Sequence, residues 1–315
     1  MGRPSHARAL NVWANGKQVG QWRLPSRGPM EFQYAASWVE SPEGRPLSLS
    51  LPITLDAPPL RGEVVHNYFD NLLPDSERIR ARLQSRFRTE STGAFDLLQA
   101  IGRDCVGAVQ LLPPEQPPTG FDRVEYETMD DQAVARHLRG VAAEPGLGAD
   151  QDPDDLRISI AGAQEKTALL RVDGQWCRPL GATPTTHILK LPLGLVGGRR
   201  LDLTHSVYNE WLCAQLLREF GLPVATTEIA ALGDETVLAV ERFDRRWVGE
   251  PGAETRWIAR LPQEDFCQAL GVAPDRKYQS DGGPSVQDCL RVLAASEDAA
   301  EDRAVFALAQ LAFWL

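Results

Sequence analysis

Cysteine is scarce and unpaired in this 315-residue chain: Cys105, Cys177, Cys213, Cys267 and Cys289 are scattered, with no CxxC pair among them. No His stands at metal-ligand spacing beside them, so neither a disulfide framework nor a zinc site is indicated, and the thiols read as core residues of a reducing compartment. Positive charge is short as well. Lys and Arg total 33 against 43 Asp and Glu, a net charge of -10. Non-specific nucleic-acid affinity comes from basic side chains neutralising phosphates, so a DNA role would need a basic partner. The N-terminus, MGRPSHARALNVWANG, has no apolar signal region, and no run approaches the length needed to span a bilayer. No membrane role is expected, and the cytoplasm is the expected location. Internal repeats and low-complexity tracts are lacking too.

What is present is ordinary globular material. A hydrophobic fraction of 43% and a charged fraction of 24% suit a sizeable core and two units. The first stretch, ALNVWANGKQVGQWRL, is broken by Asn15-Gly16, a hairpin signal, and MEFQYAASWV and PLSLSLPI follow as further strands with partial alternation. From His66 the pattern turns helical through ERIRARLQSRF and FDLLQAIG, ending at Gly102. Pro113, Pro114, Pro117 and Pro118 cannot sit inside a helix or central strand, which places a boundary there. The acidic segment from Glu144 to Asp155 reads as a second loop. Asp302 to Leu315 carries apolar side chains at Val305, Leu308, Leu311, Ala312 and Leu315 with no closing Gly, Asn or basic residue. The expectation is a chain cut off inside a helix.

The chemistry-bearing residues begin at Arg157 to Leu170, RISIAGAQEKTALL, a strand, a short polar turn and a second strand that continues into an Asp173-Gly174 hairpin. Such a turn can aim backbone N–H groups at phosphate, or can be a plain hairpin. GAQEKT resembles the end of a Walker A loop, but the first glycine is missing and no helix follows, so that reading is rejected. Lys190 lies in the apolar strand Thr186 to Pro192, where a lysine either snorkels to the edge or meets an anion. The next helix, capped by Asp202 or Thr204 and ended by Gly221 and Pro223, sets Glu210 in one stripe with Val207, Ala214 and Leu217. A carboxylate on that face wants a cation, whether as a plain salt bridge or as the partner of a nucleotide lysine. The strand Glu235 to Val240 then runs into Glu241-Arg242-Phe243, either a charged strand end or a hinge that bonds an adenine edge. The order of phosphate turn, lysine strand, glutamate helix and hinge strand is that of a kinase small lobe, without the usual kinase motifs.

At these residues the chain resembles the HipA serine/threonine-protein kinase toxins of bacterial type II toxin–antitoxin systems. The resemblance runs through RPLSLSLP (45–52), FDNLLPDS (69–76), FDLLQAIGRD (95–104), RISIAGAQEKTALL (157–170), TPTTHILKLP (183–192), AVERFDRRW (239–247), LPQEDFCQALG (261–271) and KYQSDGGPS (277–285). It implies an α+β, two-lobed protein-kinase-like fold. An N-terminal β-rich and helical subdomain would occupy 1–112, the nucleotide-binding lobe 113–246 and the start of an incomplete helical C-lobe 247–315. It also implies an ATP-binding turn at Ala161, Gly162, Ala163, Gln164, Glu165 and Lys166, a nucleotide lysine at Lys190 oriented by Glu210, a hinge at Glu241, Arg242 and Phe243, and autophosphorylation at Ser159. Lys166, placed in a mobile turn, is expected to contribute less than Lys190. ATP and magnesium are the implied cofactors, while the catalytic base and the magnesium ligands are expected beyond Leu315. The implied partners are a HipB-type helix-turn-helix antitoxin, DNA only through that antitoxin, and glutamyl-tRNA synthetase as protein substrate. Two other readings stand beside it: a non-catalytic antitoxin-binding co-repressor fragment, and a small-molecule kinase, against which the matches outside the nucleotide site speak.

Overall fold

The computed structural model describes residues 8–54, 58–142, 160, 164–196, 201–253 and 255–314. The chain opens with β1 (Arg8–Ala14) and β2 (Lys17–Leu24), joined at Asn15 and Gly16 with φ of 46° and 79°. Positive φ at both central residues is what a two-residue hairpin needs to match strand twist. A Cβ on Gly16 would stand 2.3 Å from the Phe121 ring. Gly16→Ala is therefore expected to cost roughly 1–2 kcal/mol for the left-handed backbone alone, read as a shift of the urea midpoint.

β3 (Glu31–Tyr34), the short α1 (Ala36–Val39), β4 (Leu60–Arg61), α2 (Glu63–Asp70), α3 (Glu77–Phe87), α4 (Ala94–Ile101) and β5 (Gln110–Leu112) complete the first unit. Its antiparallel sheet has the order β4-β3-β2-β1-β5. Trp22, fully buried on β2, stacks on Phe69 of α2 at 4.0 Å and touches Phe95 of α4 at 4.9 Å, so the apolar faces of both helices close over one side of the sheet. The segment PLSLSLPI is not a strand. It makes an isolated bridge between Ser48 and Leu51, and its alternating serines serve another purpose: Ser48 Oγ donates to Glu264 Oε2 at 2.5 Å and Ser50 Oγ to the Gln268 carbonyl at 2.6 Å.

After a loop rich in proline come β6 (Tyr126–Thr128) and α5 (Asp131–Ala142); the acidic segment 144–155 lies outside the described residues. The second sheet follows, built from β7 (Lys166–Val172), β8 (Gln175–Pro179), β9 (His187–Lys190), β12 (Thr227–Leu232) and β13 (Glu235–Glu241) with β6 at its edge. Between β9 and β12 lie the small hairpin β10 (Gly194–Val196) and β11 (Leu201–Leu203) and then α6 (Ser206–Glu219). The order is β12-β13-β9-β7-β8-β6 and every pairing is antiparallel. Asp173 and Gly174 turn β7 into β8 with φ of 46° and 85°.

The hairpin β14 (Arg245–Val248) and β15 (Trp257–Arg260), then α7 (Phe266–Leu270), α8 (Val286–Leu293) and α9 (Ala299–Trp314), finish the described chain. α7 and α8 each start on a capping box, Asp265 with Gln268 and Ser285 with Asp288. This part is sewn to the first unit: Asn67 and Asn71 of α2 and its C-cap donate to the carbonyls of Gly271 and Val272 at 2.8 and 2.9 Å. No helix among the described residues is long and apolar enough to cross a membrane.

Candidate nucleotide site

β9 sits between β7 and β13, with Lys190 opposite Lys166 on one side and Leu238 on the other. Two ammonium groups on adjacent strands repel unless an anion stands between or beside them. Glu210 of α6 is one such anion: it forms an ion pair with Lys190, both side chains half-buried. The helix brings it there because Val207 and Ala214, one turn to either side, are buried against the sheet. The N-cap of α6 is His205, one residue past Thr204 and three past Asp202, the two expected caps. The pairing of Leu195 with Asp202 in the β10–β11 hairpin holds the preceding chain extended, Asp202 accepts from the Thr204 amide and hydroxyl, and His205 becomes the N-cap without a side-chain bond. The end is as expected, with Gly221 in the left-handed region at φ 80°.

Lys166 is not in a turn. It opens β7, and burial first, then the Lys190 charge, pulls its ammonium down to about 8, partly offset by Asp75. The reason to rank it below Lys190 therefore falls away. Of the turn, Ser159, Ala161, Gly162 and Ala163 lie outside the described residues. Gln164 donates to the Leu191 carbonyl at 2.8 Å, tying the turn to the end of the lysine strand. Glu165 pairs with Arg82 and Arg78 of α3, so its carboxylate is spent on the first unit.

The hinge segment alternates as a strand should. Glu241 and Phe243 are exposed, whereas Arg242 and Asp244 turn inward and are 4% exposed each. The Arg242 side chain is thereby corrected out of the candidate nucleotide contacts; its backbone N–H is bonded to the Thr186 carbonyl at 2.9 Å. Its guanidinium donates to Asp244 at 2.8 and 3.0 Å, to Thr185 Oγ1 at 3.0 Å and to the Cys105 carbonyl at 2.9 Å. Arg245 reaches Asp104 at 2.8 Å, and Arg260 lies 3.4 Å from the same carboxylate. Three guanidiniums and two carboxylates are thus enclosed together, joining the segment that follows α4, the approach to β9, the chain from Arg242 into β14, and the end of β15. Burial would raise the Asp104 carboxyl, but Arg245, Arg242, Arg260 and the Thr185 hydroxyl together hold it well below the carboxylate range. Sequence reasoning saw 241–246 only as a charged strand end or hinge. The available signal was Asp104 just past the apolar run of α4 and before the largely apolar Val106 to Leu112, a charge that must find partners if that segment is buried.

A lysine strand flanked by a turn strand and a hinge strand, with a glutamate helix packed on the sheet and ion-paired to the lysine, makes this the small lobe of a kinase-like fold. Comparison with known proteins adds the family. Residues 158–315 match the model of the HipA-like C-terminal domain and residues 10–112 that of the HipA N-terminal domain. The chain belongs to the HipA family. It is 35% identical over 289 residues to the Sinorhizobium fredii protein Y4mE, whose name places it among kinases, covering 91% of this chain and 64% of that one. It is 29% identical over 252 residues to the serine/threonine-protein kinase toxin HipA of Shewanella oneidensis, covering 79% of this chain and 52% of the toxin. A solved complex of Shewanella oneidensis HipA, HipB and operator DNA matches with a TM-score of 0.73 at 24% identity, over 94% of this chain and 67% of that one. The chain thus spans about half to two thirds of the length of these relatives.

Proposed function

We propose that these residues are the nucleotide-binding part of a serine/threonine-protein kinase toxin of a type II toxin–antitoxin system, working in the cytoplasm. The observation that carries the reading is the register of Lys190 with Lys166 and its ion pair with Glu210. Glu210 holds the Lys190 ammonium in place, and both lysines contact the phosphates of ATP, which supplies the γ-phosphoryl group for a serine hydroxyl. The Glu241 N–H is bonded to the Thr226 carbonyl at 2.9 Å, so the Glu241 carbonyl and the Phe243 N–H are the groups that bond the adenine edge, and the exposed Phe243 ring covers the base. Among the described residues no group of three or more His, Cys, Asp or Glu is placed to hold a metal.

The names of two relatives support part of the finer reading: one is a serine/threonine-protein kinase toxin, and one was solved with HipB and operator DNA. A HipB-type antitoxin through which DNA is reached is proposed on that ground, while glutamyl-tRNA synthetase as substrate and autophosphorylation at Ser159 are proposed on the family resemblance alone. Calorimetric titration of ATP tests the core of it: micromolar to millimolar binding is expected. A protein that binds the helix-turn-helix antitoxin but no nucleotide would favour the non-catalytic co-repressor instead.

The lowered Lys166 ammonium gives the reading a pH signature. A polyanion favours the charged lysine, so binding takes up a proton wherever the free protein has lost one, which is above about pH 8. ATP affinity is expected to hold below that point and to fall above it by up to about tenfold per pH unit. Lys166→Arg, which stays charged, should flatten the profile; an unchanged slope in that variant would remove Lys166 from the site.

A further inference from the structure

Three of the chain's four lysines meet in one place. Of 33 basic residues only Lys17, Lys166, Lys190 and Lys277 are lysine, and fixed, enclosed ion pairs use arginine, as Arg80 with Asp70 and Arg245 with Asp104 do. Lys166 and Lys190 face each other across β7 and β9. Lys277, just past the 3-10 turn Pro274–Arg276, reaches the Asp75 carboxylate at 2.7 Å. Pro74, the neighbour of Asp75, lines the same cleft as Lys166 and Gln164. The charges that act on Lys166 are those of Lys190, Asp75, Lys277 and Glu210. Two ion pairs, Lys190 with Glu210 and Lys277 with Asp75, therefore lie near enough to Lys166 for their charges to act on it.

The choice of lysine has a physical reason. A guanidinium is a planar fork suited to one fixed carboxylate, whereas an ammonium on a four-carbon stem is a point charge that can swing between acceptors. Lys277 and Asp75 are 35% and 25% exposed in their side chains, so burial does not lock them together and the pair is weak enough to exchange. A triphosphate entering beside Lys166 and Lys190 carries more negative charge than one carboxylate and offers charge-assisted bonds to the same ammonium.

We propose that Lys277 is a third polyphosphate-binding lysine, held aside by Asp75 in the empty protein and passed to the outer phosphates of a nucleoside triphosphate when one binds. The proposal rests on the nucleotide reading above and adds to it: Asp75 belongs to the first unit and Lys277 to the last part of the chain, so the ligand unties a bond between them.

The test is calorimetric titration of the protein with ATP, inorganic tripolyphosphate and adenosine. Lys277→Met is expected to weaken ATP and tripolyphosphate about 5–20-fold, as loss of one charge-assisted contact should, and to leave adenosine within about two-fold. Asp75→Asn is expected to tighten tripolyphosphate about 2–5-fold by freeing Lys277, and most of that gain should vanish when Lys277 is also Met. Tripolyphosphate affinity untouched by Lys277→Met would overturn the proposal. So would an Asp75→Asn protein that binds it as poorly as Lys277→Met, the mark of a merely structural tie, or a fall in adenosine affinity equal to that for tripolyphosphate. Wild-type protein that binds neither ATP nor tripolyphosphate would instead overturn the nucleotide reading, and this proposal with it. Tripolyphosphate binding without adenosine binding would remove the hinge alone and leave Lys277 in place.

Discussion

Asp104→Ala is expected to lower stability by about 3–5 kcal/mol, the usual cost of removing one partner from a buried charge pair. The side chain is enclosed among Arg242, Arg245 and Arg260, each almost fully buried, and it also accepts from the Thr185 amide and hydroxyl at 3.0 and 2.6 Å. Without it, three guanidiniums would share Asp244 and a few carbonyls in a medium that cannot hydrate them. The same group sets an acid limit. Its folded-state pKa lies below the unfolded one, so the unfolded chain binds more protons as the pH falls beneath about 4 and the contribution is lost there, while above that range it is fully present. Urea unfolding at neutral pH decides the matter: a loss under about 1 kcal/mol, the worth of a surface pair, would show that the cluster is hydrated rather than enclosed.

Lys190→Ala should cost about 1.5–3 kcal/mol of ATP affinity, the range for a hydrogen bond to a charged group. One feature makes the loss hard to compensate: Lys190 is held from both sides, by its strand neighbours and by Glu210. Calorimetry on the variant, with thermal unfolding as the control for folding, reads the effect directly. ATP affinity unchanged in a folded Lys190→Ala protein would show the lobe assignment to be wrong at its centre.

Much of this was legible in the sequence where a local rule governs. Asn15-Gly16 and Asp173-Gly174 turn as hairpins because the backbone demands positive φ at both positions. Glu210 was found by helical spacing from Val207 and Ala214, and its lysine by standing inside an apolar strand. What escaped was set by partners distant along the chain. PLSLSLPI alternates like a strand, yet its serines answer Glu264 and Gln268, more than 200 residues on. Arg242 looked like a hinge residue, and its side chain is claimed by Asp104, 138 positions away. β12, β14 and β15 were not anticipated either, since each is short and is fixed by its neighbour in a sheet.

The stitching of the first unit to residues 260–272 bears on how the chain is made. Asn15 exchanges two bonds with the backbone of Arg260, both at 2.9 Å, and Asn67 and Asn71 wait for carbonyls at 271 and 272. The unit that ends at β5 leaves the ribosome first, yet its outer polar face is completed only by segments translated about 150 residues later, a delay of roughly 8–30 s at ordinary elongation rates. Over that interval Ser48, Ser50, Asn67 and Asn71 keep only water and the bonds they make to one another, Ser48 with Ser50 at 2.9 Å and Asn71 with the Asn67 carbonyl at 2.8 Å, and the unit waits with its polar face half-answered.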